Sequence, residues 1–399
     1  MDNLSTQRQQ SIPPHTPLVE VSGAPRERGR QYGEQAAVRI RRGVEHYARQ
    51  LEQERLSASQ LREIVARFEP TIASFEPRYI EEMKGIAEGA GVGYEMVVML
   101  NARTEVLKLA DRMRNAEPVP IDPDGCTGIV VLPAASASGR VIHAQNWDWK
   151  AECAESSIVL KVKRDDGPDF LTFTEAGALA RSGMNAAGIS ITANYLECER
   201  DYRNLGVPLA LIRRKVLEQQ RFAFAMQAVY ATPKSAANNM MVAHANGIAI
   251  DFECAPDETF LIQPKRGVIV HANHFLSPVA LSKLRDMGIA TMPDSLYRDE
   301  RVWQMVEPHI GEVTPEIVKA ALFDDFEAPW SVCRPPRPNE SNNLSATVAM
   351  IVMQPDLGTM EVSTLPALNP VFQTYSLEMD VARPRSVPAS VALRRVAIA

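Results

Sequence analysis

Cys126 is the residue of this chain whose setting best suits nucleophilic chemistry. It follows Gly125 directly in the segment DGCTG (124–128), and after an apolar stretch and a turn the chain continues as NWDW (146–149). Glycine permits unusual backbone angles and close approach of other atoms. A thiolate attacks acyl carbons, but a thiol at neutral pH needs a neighbouring base or a lowered pKa. The pattern predicts a nucleophile at the mouth of a β-hairpin.

The base for such a thiol is missing from the sequence around it. No signature of a Cys/His/Asn protease surrounds Cys126. If the bond between Gly125 and Cys126 were cut, the cysteine would gain a free amine, whose ordinary pKa is about 8. That amine can take the thiol proton at neutral pH. One residue would then supply both the nucleophile and the base.

Simpler roles for the cysteines and histidines stay open beside this hypothesis. Free cysteine is most often a small buried hydrophobic residue. No disulfide framework, zinc site or redox centre is predicted, because the chain is long and contains no CxxC pair. His271 and His274 lack a third ligand at a diagnostic spacing, so we predict no metal and no cofactor. The five cysteines are Cys126, Cys153, Cys198, Cys254 and Cys333.

The composition is that of a globular chain with a large core, and it excludes several partners. Of the 399 residues, 45% are hydrophobic and 23% are charged. The formal net charge of -6 leaves no basic stripe for phosphate backbones, so nucleic acid is not an expected partner. No apolar run approaches the roughly 20 residues of a membrane helix, and the polar N-terminus lacks the apolar core of a secretory signal. We therefore expect a cytoplasmic protein without a membrane partner.

The elements that must position these residues change character along the chain. A polar leader (1–17) is expected to be disordered, and residues 18–125 show mostly helical spacing of apolar side chains. A Pro-rich connector (117–125) precedes Cys126, after which strand and helix patterns alternate. This order predicts an α+β fold in which helices pack outside two sheets.

Several short motifs occur in the order of one known family. Together they resemble the acyl-coenzyme A:isopenicillin N acyltransferase family of N-terminal nucleophile (Ntn) hydrolases, from about residue 20 to residue 365. The cysteine segment and the Asn-Tyr pair are also similar to the more distant choloylglycine hydrolases. The motifs are DGCT (124–127), QNWD (145–148), TEAG (174–177), GMN (183–185), Gly188, NY (194–195) and HANHF (271–275).

The resemblance implies a four-layer αββα core and a precursor that cuts itself between Gly125 and Cys126. The mostly helical pro-segment (18–125) and the catalytic part (126–399) would then remain associated as α and β subunits. The chain departs from the family pattern in the turn at 134–139, which is a few residues longer than expected.

The resemblance also implies roles for individual residues. Cys126 is the nucleophile, and its freed amine is the base. Asp148 is similar to the aspartate that hydrogen-bonds near this amine, and Asn273 to the asparagine of the oxyanion hole. Asn194 resembles the choloylglycine-type asparagine beside the oxyanion. Arg334 resembles a late arginine of the site, which could brace Asp148 or bind an acidic group of the substrate.

Structural explanations for the same residues stay open. Asp148 could end a strand, and Asn194 and Asn273 could be turn residues. The two tryptophans near Asp148 suit a core as well as a pocket wall, and Glu175 suits a structural role as well as a cleft. The residues expected to line a substrate pocket are Trp147, Trp149, Glu175, Tyr195, His274 and Phe275.

The predicted activity is hydrolysis of a linear amide of a small molecule through an acyl-thioester on Cys126. An acyltransferase that uses an amine or coenzyme A is the alternative, and hydrolysis is favoured because no coenzyme A phosphate site is evident in the sequence. An uncut, non-enzymatic binding protein is an alternative of another class, although a structural cysteine does not require Gly125 before it. The sequence leaves a homo-oligomer open.

Overall fold

The computed structural model describes residues 16–53, 56–113, 125–338 and 344–380. The expected disordered leader lies outside the described residues except at its end, where Thr16 is buried and its hydroxyl hydrogen-bonds that of Thr364 at 2.8 Å. Most of the Pro-rich connector, including Asp124, also lies outside them. The described chain resumes at Gly125, directly before the proposed nucleophile.

The N-terminal part of the chain is helical, as its periodicity predicts. Ser57 and Gln60 form a capping box that starts the third helix, and Gly91 ends the fourth in a left-handed conformation. The helices here are α1 (Pro25–Gln35), α2 (Ala37–Gln53), α3 (Ala58–Phe75), α4 (Pro77–Ala90), α5 (Tyr94–Asn101) and α6 (Arg103–Met113).

Two of these helices, α1 and α4, touch backbone to backbone. A Cβ atom on Gly29 would lie 2.1 Å from the Glu82 carbonyl oxygen, and one on Gly85 would lie 2.1 Å from the Arg26 carbonyl oxygen. Real Cβ atoms do not approach other atoms so closely. Glycine is therefore required on both helices by the distance between them.

The described residues from 125 onward supply most of the strands and five further α-helices. The strands, numbered along the chain, are β1 (Leu18–Val21), β2 (Gly125–Val131), β3 (Ile142–Lys150), β4 (Ser157–Val162), β5 (Phe170–Glu175), β6 (Ser182–Asn185), β7 (Ile189–Tyr195), β8 (Asn238–His244), β9 (Ile248–Cys254), β10 (Thr259–Ile262), β11 (Val268–His271), β12 (Arg337–Pro338), β13 (Leu344–Gln354), β14 (Thr359–Thr364) and β15 (Gln373–Ser376). The helices are α7 (Leu209–Leu217), α8 (Phe222–Tyr230), α9 (Pro278–Leu281), α10 (Ser295–Val306) and α11 (Pro315–Leu322).

Within the described ranges the strands form two sheets. The first sheet has the order β1-β4-β5-β6-β7-β8-β9-β10, in which β1 is parallel to β4 and the other neighbours are antiparallel. The second sheet has the order β11-β2-β3-β13-β14-β15, and β12 pairs with β13. The N-terminal helical part thus contributes an edge strand to the first sheet.

The side chains of β2 alternate between two layers of packing. Val130 lies in the core between the sheets with Met241 and Ala243 of β8. Its neighbours Ile129 and Val131 belong instead to a core formed with α10 and α11. Helices α7 and α8 contact the first sheet. The layers are therefore helix, sheet, sheet, helix, which confirms the predicted αββα arrangement.

The hairpin of β2 and β3 differs from the prediction in its second strand. The apolar run at 141–145 predicts a strand that ends at Gln145, whereas β3 continues to Lys150. Asparagine and aspartate suggest a turn, but Asn146 lies inside the strand and its Nδ2 donates to the carbonyls of Leu322 (2.7 Å) and Val332 (2.9 Å). Buried partners thus replace the turn that these residue types favour.

Among the described helices, none combines the length and apolarity that crossing a membrane requires.

Candidate active site

The two strands of this hairpin place Cys126 on the inner face of the second sheet. Cys126 is opposite Trp147 across the ladder, and Gly125 is opposite Asp148. The thiol is buried, at 1% exposure, and Arg181 Nη2 lies 3.7 Å from its sulfur. A guanidinium beside a sulfur atom favours the thiolate over the thiol. The sulfur therefore lies in an electropositive setting that suits a nucleophile.

The backbone nitrogen of Cys126 has a different neighbour from its sulfur. It donates to Asn273 Oδ1 at 2.8 Å, and Asn273 Nδ2 donates to the Tyr195 carbonyl at 2.8 Å. Arg298 Nη2 also donates to Asn273 Oδ1, at 2.8 Å. Because a backbone N–H and a guanidinium can only donate, these contacts fix which end of the amide faces Cys126. As observed, Asn273 contacts the nitrogen that would become the amine through its Oδ1, and one of the two Nδ2 hydrogens is given to the Tyr195 carbonyl.

Asp148 lies beside Gly125, on the opposite face of the second sheet from the Cys126 side chain. Its Oδ1 accepts from Thr347 Oγ1 at 2.6 Å, and its Oδ2 lies 3.3 Å from Arg334 Nε. That Oδ2 is buried without a hydrogen bond to the described residues, and it would lie 2.8 Å from a Cβ atom on Gly125. Burial raises the pKa of Asp148, although Arg334 and Arg298 oppose the rise. The carboxylate thus borders Gly125, and its Oδ2, which is ion-paired with Arg334, can still accept a hydrogen bond.

A chain of alternating charges supports this side of the site. Arg298 is fully buried, and its Nη1 donates to the Cys126 carbonyl (2.8 Å) and to Thr127 Oγ1 (2.9 Å). Its Nε donates to Asp294 Oδ2 at 2.7 Å, and Asp294 also pairs with Arg334. Although burial raises the pKa of Asp294, the two arginines hold it below its usual value. Arg298 therefore connects the backbone of Cys126 with both acidic residues through these ion pairs.

Asn194 lies in the interior and is engaged on every side. Its Nδ2 donates to the carbonyls of His271 (2.8 Å) and Ala272 (2.9 Å), and its Oδ1 accepts from Gln145 Nε2 at 2.7 Å. These bonds hold the end of β11, from which Asn273 follows. As an oxyanion donor, Asn194 would have to break one of them.

The expected pocket residues fall into two groups. Glu175 and Tyr195 line a narrow cavity beside Arg181, and the rings of Trp147 and Trp149 stack on guanidinium groups at its wall. The other two lie away from this cavity: Phe275 packs in a separate apolar cluster, and His274 Nδ1 lies 2.8 Å from Ser295 Oγ. No group of three or more metal-ligating side chains occurs within the described ranges.

Sequence analysis did not find Arg181, Arg298 or Asp294. Asp294 and Arg298 are four residues apart at the start of α10, a spacing that is usual for an exposed ion pair on a helix. Arg181 precedes the short strand β6 and belongs to no motif. The only signal in the sequence was thus the spacing of Asp294 and Arg298, which by itself suggests an ion pair on a solvent-exposed face of the helix.

Comparison with known proteins identifies the family. Residues 135–364, more than half of the chain, match the family model described as acyl-coenzyme A:6-aminopenicillanic acid acyl-transferase. The chain belongs to this acyl-transferase family. The 40 kDa form of the acyl-coenzyme A:6-aminopenicillanic-acid-acyltransferase of Emericella nidulans is 27% identical over 318 residues, which cover 79% of this chain and 84% of that protein.

Two solved structures are also similar to this acyl-transferase family member. A variant of the conjugated bile acid hydrolase from Clostridium perfringens is 11% identical and aligns over 63% of this chain and 92% of its own, with a TM-score of 0.47. Penicillin V acylase from Agrobacterium tumefaciens is 16% identical over 63% of this chain and 86% of its own, with a TM-score of 0.42. The family match confirms the predicted resemblance and the prediction of an enzyme.

Proposed function

We propose that this chain is a self-processing cysteine amidohydrolase that cleaves its own Gly125–Cys126 bond and then hydrolyses a linear amide of a small molecule. The observation that carries the proposal is the setting of Cys126, whose sulfur faces Arg181 and whose nitrogen donates to Asn273, with Asp148 beside the preceding Gly125. A residue that must act as both nucleophile and base needs such separate surroundings for its two functional atoms.

Self-cleavage proceeds by transfer of the Gly125 acyl group from nitrogen to sulfur. The Cys126 thiolate adds to the Gly125 carbonyl carbon, the C–N bond breaks, and the nitrogen takes the proton that the thiol has lost. Water then hydrolyses the thioester to a Gly125 carboxylate and a free Cys126 thiol and amine. Asp148 Oδ2, which is buried without a hydrogen bond in the described chain, would gain a donor in the new amine.

Turnover of the substrate repeats the same chemistry with an external amide. The Cys126 amine accepts the thiol proton, the thiolate attacks the substrate carbonyl, and the proton passes to the departing amine. Water then releases the acid from the acyl-thioester. Asn273 would hold the amine through its Oδ1, and the positive charge of the nearby Arg298 favours the neutral amine that can act as a base.

Acyl transfer is the second candidate, because the family and the Emericella nidulans relative are both described as acyltransferases. Both activities form the same acyl-thioester and differ only in the nucleophile that resolves it. Supplying an acyl-enzyme with water alone, with amines and with coenzyme A, and measuring the products, separates them. Exclusive transfer to coenzyme A would contradict the hydrolase.

Denaturing electrophoresis with intact-mass measurement tests self-cleavage. We expect two fragments, of 125 residues and of 274 residues (399 minus 125), in place of a chain of 44.1 kDa. Cys126→Ala should remain a single chain and lose all turnover, and Cys126→Ser should be cut slowly because a hydroxyl is the weaker nucleophile. The control is Cys254→Ala, which removes another buried thiol and should be cut normally. An intact, active chain would overturn the proposal and favour a protein that needs no processing.

A further inference from the structure

A fully buried glutamate of the first sheet holds the segment that carries Asn273. Glu253 lies on β9, and its side chain has no exposed surface. Its Oε1 lies 2.9 Å from His271 Nε2 and accepts from the Leu276 backbone nitrogen, while its Oε2 accepts from the Ser277 backbone nitrogen at 3.1 Å. Because His271 ends β11 of the second sheet, this one carboxylate connects the two sheets.

The contacts of Glu253 lie on both sides of Asn273 along the chain. The histidine precedes Asn273 by two residues, and the two backbone amides follow it by three and four residues. The Asn273 backbone nitrogen itself donates to Ser295 Oγ at 2.7 Å. The segment 271–277 therefore has fixed points before, at and after the residue whose Oδ1 accepts from the Cys126 nitrogen.

The held segment begins beside the strand of the nucleophile. His271 is opposite Gly128 in the antiparallel ladder of β11 and β2. Two residues further along each chain in this antiparallel pairing, Asn273 and Cys126 meet, and Asn273 Oδ1 lies 2.8 Å from the Cys126 nitrogen. Small displacements of reacting groups are costly in rate. A shift of the held segment would change this distance directly.

The chemistry of the contact favours a positioning role over a purely stabilising one. The side chains of Glu253 and His271 are both at 0% exposure, and the desolvation of a buried ion pair offsets much of its attraction. A well-packed apolar pair of similar volume is often as stabilising. The carboxylate adds direction, because its two oxygens accept hydrogen bonds along defined lines from three donors of one segment.

We propose that Glu253 is a positioning residue for Asn273 and, through Asn273, for the nitrogen of Cys126. The inference rests on the proposed function for the reaction, and it adds a residue that acts on self-cleavage and turnover from outside the reacting groups. Glu253 acts through the segment 271–277 and forms no bond in either reaction. Its substitution therefore slows the chemical steps and leaves substrate binding unchanged.

Glu253→Gln tests this role with little change in side-chain volume. A glutamine has one acceptor oxygen and one donor group, so at least one of the three donors of the segment then faces another donor. Asp251→Asn is the matched control, because it removes a charge from the same buried strand. The Asp251 carboxylate accepts from Asn239 of β8 and not from the segment 271–277.

Pulse-labelled chains give both the first-order rate constant of self-cleavage and the final fraction that is cut. We expect Glu253→Gln to lower the rate constant at least about tenfold at an unchanged final fraction, and Asp251→Asn to stay within about threefold of the wild type. In turnover, Glu253→Gln should lower kcat at least about tenfold and leave KM within about threefold. A merely structural role would lower the fraction cut and leave the rate constant of the folded molecules unchanged. Wild-type rate constants in Glu253→Gln, or equal losses in both variants, would overturn the proposal.

Hydrogen exchange tests the positioning without any activity. The backbone amides at positions 126 and 273 are followed by NMR in the Cys126→Ala single chain, with and without each substitution on β9. Glu253→Gln should make both amides exchange at least about tenfold faster, whereas Asp251→Asn should leave them unchanged.

The two measurements separate this inference from the proposed function. If the amides respond but the wild type neither cuts itself nor hydrolyses amides, Glu253 still positions Asn273 and the amidohydrolase fails. If the wild type is active and neither the amides nor the rate constants respond to Glu253→Gln, the positioning role fails and the amidohydrolase stands. Amides that do not respond overturn the positioning role in either case.

Discussion

At the scale of single residues, Arg298 is a positioning residue for Cys126 and Asn273. It donates to the Cys126 carbonyl, to Thr127 Oγ1 and to Asn273 Oδ1, each within 2.9 Å, and its charge is balanced by Asp294. A lysine carries its three donors on one nitrogen, so it cannot span acceptors that are as far apart as those of a planar guanidinium with three nitrogens. The orientation of both Cys126 and Asn273 thus depends on a guanidinium at this position.

We predict that Arg298→Lys slows self-cleavage at least about tenfold, because small displacements of reacting groups are costly. The rate is measured from fragment accumulation on denaturing gels. Arg301→Lys on the same helix is the control, since Arg301 pairs with Asp324 at the protein surface. Melting temperatures of both variants, made in the Cys126→Ala background, show whether a slow rate reflects unfolding. Equal cleavage rates in the two lysine variants would show that Arg298 does not position the reacting groups.

At the scale of elements, the contact between α1 and α4 depends on glycine. A Cβ atom at Gly85 would lie 2.1 Å from the backbone oxygen of Arg26, and a backbone atom cannot move aside as a side chain can. Tyr32 of α1 also donates from its hydroxyl to the Ala178 carbonyl at 3.0 Å. The helix pair therefore joins the N-terminal part to the segment before Arg181.

We predict that Gly85→Ala destabilises the protein by about 1–3 kcal/mol or more through overpacking. This figure is the net loss, after the ~0.5–1 kcal/mol that alanine contributes over glycine in a helix has been subtracted. Gly43→Ala in α2 is the matched control, because its Cβ atom would meet only ordinary contacts, the nearest at 3.6 Å, and should be neutral or stabilising. Urea unfolding measures both variants. A Gly85→Ala protein as stable as the control would contradict the close approach of the helices.

At the scale of the whole molecule, two buried histidines join distant parts of the fold with opposite effects on its pH dependence. His143 of β3 lies 2.8 Å from both Ser190 Oγ and Thr192 Oγ1 on the facing sheet, and burial lowers its pKa to about 3. Burial alone would also lower the pKa of His271, but the carboxylates of Asp251 and Glu253 raise it to about 9.

Taken by themselves, the shifts of His143 and His271 make a contribution to stability that is greatest near pH 6.5. Because the pKa of His143 is lowered in the folded state, its contribution is complete above about pH 6.5 and is lost as the pH falls toward 3. The raised pKa of His271 gives a contribution that is complete below about pH 6.5 and is lost as the pH rises toward 9. Each slope is at most about 1.4 kcal/mol per pH unit.

Thermal unfolding across the pH range measures this profile in the wild type and in two variants. His143→Gln should flatten the acid side of the profile, and His271→Gln should flatten the alkaline side, while each leaves the other side unchanged. Parallel profiles in all three proteins would show that these histidines do not titrate as proposed.

The amino-acid sequence by itself determined the features that lie close together along the chain. The helical N-terminal part and the β2–β3 hairpin follow from local periodicity and turn residues. Several short motifs in order between residues 124 and 275 predicted the family, which the match over residues 135–364 confirms. The end of β3 was predicted wrongly, because Asn146 favours a turn locally but finds buried carbonyl partners far along the chain. The turn preference of a single residue is worth less free energy than the hydrogen bonds that a buried polar group requires.

Only the tertiary structure decided what surrounds the nucleophile. Arg181 is 55 residues from Cys126 in sequence and Arg298 is 172, and charged side chains on a strand or helix suggest solvent until the fold buries them. The same folding places Asn273 against the backbone nitrogen of Cys126 and encloses Asn194 within the interior. Pairwise electrostatic and hydrogen-bonding contacts of this kind depend on distances in space, and spacing along a single sequence does not encode them.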